Sequence, residues 1–493
     1  MVDSGQAYWR VEKATRAALI VDADEYFEAA RAAMLKAKRR IILVGWDFDA
    51  RISLSRRLMP SEPKTLGEFV LWLIERTPDL EVFLLRWDIG ALRTLFRGTT
   101  MWTLAKWMAR KRIHVRLDRA SPVGASHHHK IIVIDDCFAF CGGIDMTNNR
   151  WDTRNHCDDD PRRIMPGGRP YGPWHDATTA LEGPVAKALG DLARDRWKRA
   201  TGRAVEAVDV VNECWPDVVE CQFRDVAVTI SRSRPALVDS APIREIEAAY
   251  LKLIGCARRH IYAESQYFAS RRIAESIGRR LAEPDGPEIV LINPLSSHGW
   301  LEPVAMDTAR ARLFEALHRL DRHGRFRVYH PYTSGGIPIY VHAKLMIVDD
   351  RVLHVGSSNM NNRSMRLDTE CDVGFDADLP GNGAATGVIR TLRCGLLAEH
   401  LGVSCATVSD RIEKSGSLIE TIESLRGDGR SLRPYVVPNL GDVEKWLADN
   451  EVFDPEGPEE MFEAFSNRGL LRRLGKKIAQ QRVAPSPAKG KLH

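Results

Sequence analysis

Two segments of this chain carry the same polar residues at the same spacing. Each has a histidine, a lysine two positions later and an aspartate seven positions after the histidine: His128, Lys130 and Asp135, then His342, Lys344 and Asp349. A pair of small residues, Gly142-Gly143 or Gly356-Ser357, begins fourteen positions after each histidine. One such match arises easily by chance at ordinary residue frequencies. Two matches with identical downstream spacing indicate a repeated functional unit.

The spacing separates working residues from supporting ones. Residues two apart on a strand point to the same face, so each histidine and its lysine face one spot. Each aspartate has the opposite parity and opens a pair, Asp135-Asp136 or Asp349-Asp350, that is typical of a hairpin turn. We therefore expect these two aspartates of the catalytic motif to brace the site without touching substrate. After the turn, Gly143 and Ser357 return beside the histidines, where small residues let backbone N–H groups approach an anion.

The predicted chemistry is cleavage of a phosphodiester. Two facing halves supply two imidazoles and two ammonium groups around one phosphate. Neutral imidazole attacks phosphorus, imidazolium protonates the departing alkoxide, and the cations hold the non-bridging oxygens, so no metal and no cofactor is required. Asp152 in the first half and Glu370 in the second are candidates to orient the histidines. The predicted substrate-binding residues are Gly143, Asp145, Trp174, His175, Gln266, Ser357 and Asn359.

The elements that position these residues show the same duplication. A helical pattern leads into a buried strand at residues 24–46 and again at 243–263, and each lysine is followed by an apolar run. Continuous apolar runs are typical of strands buried on both faces, so helices must cover both sides of the sheet. We predict an α/β fold of two similar halves, each a mixed, mostly buried β-sheet flanked by helices on both faces. The halves pack as a pseudo-two-fold pair with the active site between them.

The 493 residues are too many for one ordinary core. We place the halves at residues 10–205 and 206–408, followed by an accessory segment at 409–493. The net charge is +5, but the residues from Arg468 onward contribute +8, which leaves −3 for the rest. Leucines recur at helical spacing among these cations. The tail is therefore either a basic amphipathic segment for anionic lipid headgroups or a solvated chain end.

Other bulk features favour a cytoplasmic location. No stretch approaches the roughly 20 apolar residues needed to cross a bilayer, and the N-terminal sequence MVDSGQAYWRVEK lacks an apolar leader. The nine cysteines are an odd number without the spacing of a disulfide framework.

Two local features admit alternative interpretations. The run His127-His128-His129 could bind a metal with His156 or Cys157, although alternate residues of a strand point to opposite faces and cannot converge on one ion. Residues 174–176 (WHD) could line the site entrance, with Trp174 against a headgroup cation, or could simply pack a loop.

The paired motifs resemble the HxKxxxxDxxxxxxG[GS]x[ND] signature of the phospholipase D superfamily, which this sequence matches twice. Further segments are similar to its eukaryotic-type phospholipase D subgroup: residues 142–145 (GGID), 150–152 (RWD), 173–176 (PWHD), 181–184 (LEGP), 261–268 (IYAESQYF), 340–342 (YVH) and 399–402 (EHLG). In the IYAESQYF segment, Glu264 and Gln266 share a strand face and could both enter the site, or Glu264 could pair with Arg258 or Arg259. No segment resembles the C2 domain of plant members, the lipid-binding modules of animal members or the N-terminal span of bacterial cardiolipin synthases.

The resemblance, over roughly residues 20–405, implies a phospholipase D that hydrolyses glycerophospholipids such as phosphatidylcholine to phosphatidic acid and a free alcohol. By analogy, His128 forms a phosphohistidine, His342 is the acid and base, and transphosphatidylation is a side activity. The alternatives are a cardiolipin-synthase-like phosphatidyltransferase, a metal-independent nuclease and a non-catalytic membrane scaffold. We expect a monomer whose partners are the phospholipid substrate and, peripherally, the membrane surface. Nucleic acid is not expected, because the core is net negative.

Overall fold

The computed structural model describes residues 6–57, 59, 61–87, 103, 106–122, 124–209, 212–296 and 302–436. The strands of the first half are β1 (Arg10–Val21), β2 (Arg40–Gly45), β3 (Glu81–Trp87), β4 (Ile113–Asp118), β5 (Ile131–Ile134), β6 (Phe138–Gly142), β7 (Trp174–His175) and β8 (Ala177–Glu182). Those that follow are β9 (Phe223–Arg234), β10 (Ile243–Arg244), β11 (His260–Glu264), β12 (Glu288–Ile292), β13 (Phe326–Tyr332), β14 (Tyr340–Val341), β15 (Leu345–Val348), β16 (Val352–Gly356), β17 (Glu370–Asp376) and β18 (Ser431–Pro434). The described helices are α1 (Ala23–Leu35), α2 (Leu66–Arg76), α3 (Pro184–Thr201), α4 (Glu245–Cys256), α5 (Arg271–Ala282), α6 (Glu302–Leu320), α7 (Ala385–Leu401), α8 (Cys405–Ser415) and α9 (Leu418–Leu425), with a π-helical turn at Arg363–Leu367.

One sheet runs through both halves, in the order β18-β13-β12-β11-β15-β16-β17-β9-β1-β8-β6-β5-β2-β3-β4. Its centre is the antiparallel pair β1–β9, in which Arg10 lies opposite Ile230. Outward from this pair the halves repeat each other: β1, β8, β6, β5, β2, β3 and β4 correspond to β9, β17, β16, β15, β11, β12 and β13. The predicted mixed α/β fold with two similar halves is confirmed, and the halves are in addition joined edge to edge.

Helices cover both faces of this sheet because its strands are apolar on both. Along β1, Ala17 and Leu19 enter one core, while Ala18 and Ile20 enter the other. Helices α3 and α7 pack on the first of these faces. Helices α1 and α2 cover the opposite face of the first half, and α4, α5 and α6 cover it in the second.

The strands that follow the two lysines turn back through tight hairpins, as predicted. Asp135 and Asp136 have φ of 47° and 52°, and Asp349 and Asp350 have φ of 53° and 57°. Aspartate tolerates this left-handed conformation better than most residues. Two successive residues with positive φ form a turn whose twist matches that of the flanking strands.

The beginning of the predicted accessory segment packs on the second half. Helices α8 and α9 contact α7, and β18 pairs antiparallel with β13 at the edge of the sheet. The basic tail from Arg468 lies outside the described residues. Within the described ranges, no helix combines the length and the apolar character needed to cross a membrane.

Candidate active site

Each motif histidine is held by the backbone of the other half. Strand β7 pairs in parallel with β14, and the N–H of His342 donates to the carbonyl of His175 at 2.7 Å. On the symmetry-related side, the N–H of His128 donates to the carbonyl of Thr369 at 3.0 Å. These contacts bring the two motifs together across the junction of the halves.

Glu370 holds the ring of His128. Both of its carboxylate oxygens lie 3.0 Å from Nδ1 of His128, and the side chain is fully buried at the start of β17. The hydroxyls of Ser357 and Ser364 donate to the same carboxylate at 2.5 and 2.7 Å. A carboxylate on Nδ1 fixes the orientation of the imidazole and directs Nε2 to the opposite side. Glu370, predicted to orient a histidine, thus acts on the histidine of the other half.

Asp176 holds His342 in the same way. Its Oδ2 lies 2.6 Å from Nδ1 of His342, and its side chain is fully buried. Asp176 immediately precedes β8, and Glu370 begins β17, the strand that corresponds to β8. The two histidine–carboxylate pairs are therefore reciprocal, each joining one half to the other.

The prediction that Asp152 orients a histidine of the motifs is corrected by this arrangement. Asp152 is fully buried, but its carboxylate contacts Nδ1 of His156 at 2.9 Å and Nη1 of Arg163 at 3.2 Å. It lies in the loop after β6, whereas the position next to His342 belongs to the residue that enters β8. The duplication was the available signal, because the counterpart of Glu370 is the acidic residue that enters β8, which is Asp176.

The two lysines lie beside the histidines and have different partners. Nζ of Lys130 is 3.2 Å from the carboxylate of Asp145. Nζ of Lys344 donates to Oε1 of Gln266 at 3.3 Å and to the carbonyl of its own motif histidine. Burial lowers the pKa of Lys344 to about 7. Asp145, predicted to bind substrate, instead balances the charge of Lys130.

Gln266 and Asn359, two predicted substrate-binding residues, meet beside Lys344. Oε1 of Gln266 accepts from Nδ2 of Asn359 at 3.5 Å, and Nε2 of Gln266 donates to the hydroxyl of Tyr340 at 2.9 Å. Oδ1 of Asn359 is buried without a hydrogen-bond partner among the described residues. This corner of the site can therefore accept a hydrogen bond from a bound hydroxyl or water.

The small residues after the hairpins make room for carboxylates. The N–H of Gly143 donates to a carbonyl of β8 at 2.8 Å, and the N–H of Ser357 donates to Asp372 at 2.9 Å. A Cβ on Gly143 would lie 2.3 Å from Oδ1 of Asp176. The predicted contacts of Gly143 and Ser357 with substrate are therefore corrected. Gly143 admits Asp176, and Ser357 supports Glu370.

Of the two candidates in β7, one faces the site and one faces the interior. The ring of Trp174 lies 5.2 Å from that of His342. His175 is fully buried, with Nε2 2.7 Å from Glu264 and Nδ1 2.9 Å from Glu399. The alternation of the strand sends His175 away from the substrate side, which corrects its predicted role. Glu264 is likewise buried in this interior cluster and neither enters the site nor pairs with the arginines before β11.

Among the described residues, two buried groups of side chains could hold a metal ion. They are Asp22, His156, His175 and Glu399, and His175, Glu264 and His400, with candidate ligand atoms within 4.8 Å of one another. The run His127-His128-His129 contributes to neither group. His127 contacts Asp118 at 3.1 Å, and His128 contacts Glu370.

The electrostatics of the site favour neutral imidazoles. Burial together with Lys130 and Lys344 lowers the pKa of His128 to about 3. Burial and Lys344 lower the pKa of His342 well below its usual value. A phosphate between the rings would offset the lysine charges and raise both pKa values. One ring can then carry a proton to a leaving group while the other attacks, which is the chemistry that phosphodiester cleavage requires.

Sequence reasoning did not single out an aromatic neighbour of His128. The ring of Trp46 lies 6.3 Å from His128 at an interplanar angle of 72° and stacks on Trp87 at 6.0 Å. Trp46 directly follows β2, the neighbour of β5 in the sheet. Its position at the end of a strand that neighbours the motif strand was the signal that could have identified it. Trp46 and Trp174 thus flank the site from the two sides.

Comparisons with known proteins agree with this geometry. The profile of the family described as Phospholipase D matches residues 33–274 and 328–431. A second family profile, described as Cardiolipin synthase, PLD-like domain, matches residues 250–378. Phospholipase D alpha 1 of Carica papaya is 24% identical, over 75% of this chain and 63% of its own length. Phospholipase D A of Dictyostelium discoideum is 24% identical, over 78% of this chain and 35% of its own length. The chain therefore spans less than two thirds of the length of either relative.

A solved structure shows the same fold over nearly the whole chain. Phosphatidylserine synthase from Haemophilus influenzae superimposes with a TM-score of 0.56 at 14% identity, covering 96% of this chain and 97% of that one. Because the Phospholipase D profile extends over both halves and includes both histidine motifs, this chain belongs to the phospholipase D family.

Proposed function

We propose that this protein hydrolyses the distal phosphodiester bond of glycerophospholipids, releasing phosphatidic acid and the free headgroup alcohol. The reciprocal pairing of His128 with Glu370 and of His342 with Asp176 carries this proposal. Each carboxylate occupies Nδ1 of its histidine and leaves Nε2 for the substrate. Two such imidazoles can serve the attacking and departing sides of one phosphorus atom, as an in-line displacement requires.

The proposed reaction has two steps. Nε2 of His128 attacks phosphorus and forms a P–N bond while the P–O bond to the headgroup breaks, and His342 gives its Nε2 proton to the departing alkoxide. His342 then takes a proton from water as the water oxygen attacks phosphorus, and the P–N bond breaks to release phosphatidic acid. Lys130 and Lys344 lie beside the histidines and supply positive charge for the non-bridging oxygens.

Transfer to an alcohol follows from the same intermediate, because any alcohol that outcompetes water can attack a phosphohistidine. We therefore propose transphosphatidylation as a side activity. The match of residues 250–378 to the profile described as Cardiolipin synthase, PLD-like domain, favours a phosphatidyltransferase as the second candidate. In that case a lipid alcohol would be the principal acceptor. Either activity requires the enzyme to act at a phospholipid membrane surface.

Product analysis tests the proposal. The purified protein is incubated with vesicles of mixed phospholipids, with and without ethanol, and the products are identified by mass spectrometry. We expect phosphatidic acid, joined by phosphatidylethanol when ethanol is present. His128→Ala and His342→Ala should each lower both products by on the order of 10²–10⁴-fold.

His323→Ala is the matched control, because His323 is an exposed histidine outside the site. It should leave product formation unchanged. Loss of activity in the control alone, full activity in either motif variant, or cleavage of DNA without cleavage of any phospholipid would contradict the proposal. A main product in which the phosphatidyl group is transferred to a lipid alcohol would favour the second candidate.

A further inference from the structure

Arg150 stands near His342, and no carboxylate of the described residues forms a close ion pair with it, although its charge offsets part of the rise that burial causes in the pKa of Asp176. Its guanidinium carbon lies 4.3 Å from the centroid of the Trp174 ring, and that ring is 5.2 Å from His342. The Nε of Arg150 is buried and has no hydrogen-bond partner within the described part of the chain. Lys130, in contrast, is balanced by Asp145. A half-buried guanidinium with an unused donor beside a reaction centre is suited to an anionic ligand.

A cavity opens next to the same tryptophan. It has a volume of about 160 Å³, and Asn149, Tyr171, Trp174, Leu295 and Tyr340 are among the residues that line it. Arg150 directly follows Asn149 of the cavity wall and lies over the ring of Trp174, which lines the cavity and neighbours His342. After burial and Lys344, the charge of Arg150 also helps to lower the pKa of His342.

The aromatic surface that a choline group would need is already covered. Trp174 is only 6% exposed. Tyr340 stacks on its ring at 4.6 Å with an interplanar angle of 28°, and Arg150 lies over it. Recognition of a quaternary ammonium requires an accessible ring face, and here the cation would also meet a guanidinium. The expectation that Trp174 contacts a headgroup cation is therefore corrected: the surroundings of this ring disfavour a cation.

We infer that Arg150 and this cavity form the headgroup subsite and select phospholipids whose headgroup carries an anionic group, either a carboxylate or a second phosphate. The inference rests on the proposed function, in which His342 protonates the leaving alcohol, so that the headgroup lies on the side of His342. Nε–H and one terminal N–H of Arg150 would donate to two oxygens of the anion, a geometry that lysine cannot reproduce.

Matched pairs of soluble substrates test the inference. Short-chain phosphatidylserine and phosphatidylethanolamine differ by one carboxylate, and phosphatidylglycerol phosphate and phosphatidylglycerol differ by one phosphate. Used as monomers, they remove any effect of membrane surface charge. We expect kcat/KM to favour the anionic member of at least one pair by about tenfold or more. Arg150→Gln should bring that ratio close to one, and Arg150→Lys should give an intermediate ratio.

Arg56→Gln is the matched control, because the exposed Arg56 also lies over a tryptophan ring, 4.8 Å from the centroid of Trp151. It should keep the ratio of the unmodified protein. Melting temperature and cleavage of bis(4-nitrophenyl) phosphate, which has no lipid headgroup, report whether each Arg150 variant is folded and competent. If Arg150→Gln fails these checks, the decision rests on Arg150→Lys.

The outcomes separate this inference from the proposed function. A preference within one pair identifies the anion as a carboxylate or a phosphate, and either result supports the inference. Equal kcat/KM values within both pairs, or a preference that survives in Arg150→Gln, would overturn it while phospholipid hydrolysis stands. Failure of the unmodified protein to cleave any phospholipid would overturn the proposed function itself.

Discussion

His128 and Glu370 are 242 positions apart in the sequence, and Nδ1 of one lies 3.0 Å from the carboxylate of the other. The second pair, Asp176 and His342, spans 166 positions and is joined at 2.6 Å. Neither half contains a motif histidine together with the carboxylate that contacts its Nδ1. The catalytic unit is therefore created by the junction of the halves through β1 and β9, and a separated half would lack an oriented histidine.

Glu370→Gln and Asp176→Asn should each lower kcat strongly while changing KM little. An amide in place of the carboxylate can donate to Nδ1, which moves the imidazole proton to Nε2. Nε2 is the atom that must offer a lone pair in His128 and a transferable proton in His342. Loss of the correct tautomer costs on the order of 10²–10⁴-fold in kcat. Steady-state kinetics on a short-chain phospholipid measure the effect.

Asp152→Asn is the control for these two variants. Its carboxylate contacts His156, Arg163 and the backbone N–H of Trp174 but no motif histidine. Its loss should therefore lower the free energy of unfolding without changing the tautomer of a motif histidine. The kcat of the folded fraction should stay within a few-fold of the unmodified value. A large loss of kcat in Asp152→Asn with none in Asp176→Asn would refute the reciprocal pairing.

Lys344 should set the alkaline limb of the pH–rate profile. Burial lowers its pKa to about 7, so in the free enzyme Lys344 is charged below that pH and neutral above it. Because the charge is needed for the phosphate, kcat/KM should fall as the pH rises through about 7. A bound phosphate raises the pKa of the lysine, so the limb in kcat should lie at higher pH.

Lys344→Arg tests this assignment, because arginine stays protonated throughout the accessible pH range. The variant should lose the alkaline limb of kcat/KM even if its rate is lower at every pH. Profiles of both proteins across about three pH units on either side of neutrality make the comparison. An unchanged alkaline limb in the variant would assign it to another group.

The features predicted correctly from the sequence are local. His128 and Lys130 lie together as expected, although they stand just before β5 and not within a strand, with Nζ of Lys130 donating to the carbonyl of His128 at 2.9 Å. The Asp135-Asp136 pair forms the turn because aspartate tolerates positive φ. The duplicated architecture follows from repeated helix–strand patterns. The first two inferences use residues fewer than about ten positions apart, within which backbone geometry fixes side-chain direction. The third compares two such local patterns from different parts of the chain.

The errors concern contacts between residues that are distant in the sequence. Whether Asp152 or Asp176 meets His342 depends on which chain segment pairs with β14, and no local pattern encodes that pairing. The backbone N–H groups of Gly143 and Ser357 are used within their own halves, by Ala177 and Asp372, through strand pairings that no local pattern encodes either. His175 was misplaced because a two-residue strand, β7, carries no alternation that a sequence pattern can reveal.

The bracing aspartates should matter for stability more than for chemistry. Asp135 accepts the N–H groups of Lys38, Arg39 and Arg40 at 2.7–2.8 Å. Asp349 accepts the three equivalent N–H groups of Arg258, Arg259 and His260 at 2.7–2.9 Å. Asparagine keeps the positive φ but turns a donor toward one of these groups. Each Asp→Asn variant should lower the free energy of unfolding by about 1–3 kcal/mol.

Urea denaturation measures this loss, and kcat of the folded protein is the companion measurement. Both aspartates stand at the far end of their strands from the histidines, so kcat should change less than about threefold. A group that orients a catalytic histidine should instead cost about 10²-fold or more in kcat. A variant with unchanged stability and a large loss of kcat would place that aspartate in the reaction.

Gly143→Ala should damage catalysis through Asp176. The added Cβ would lie 2.3 Å from Oδ1 of Asp176, so that carboxylate must move, and its 2.6 Å contact with His342 would lengthen. We expect kcat to approach that of Asp176→Asn, with a smaller change in KM.

Gly167→Ala is the control, because a Cβ there meets no atom within 4 Å. In a double variant, Gly143→Ala should add little to the loss already caused by Asp176→Asn, since both act on one contact. Fully additive losses would show that Gly143 acts on the substrate independently of Asp176.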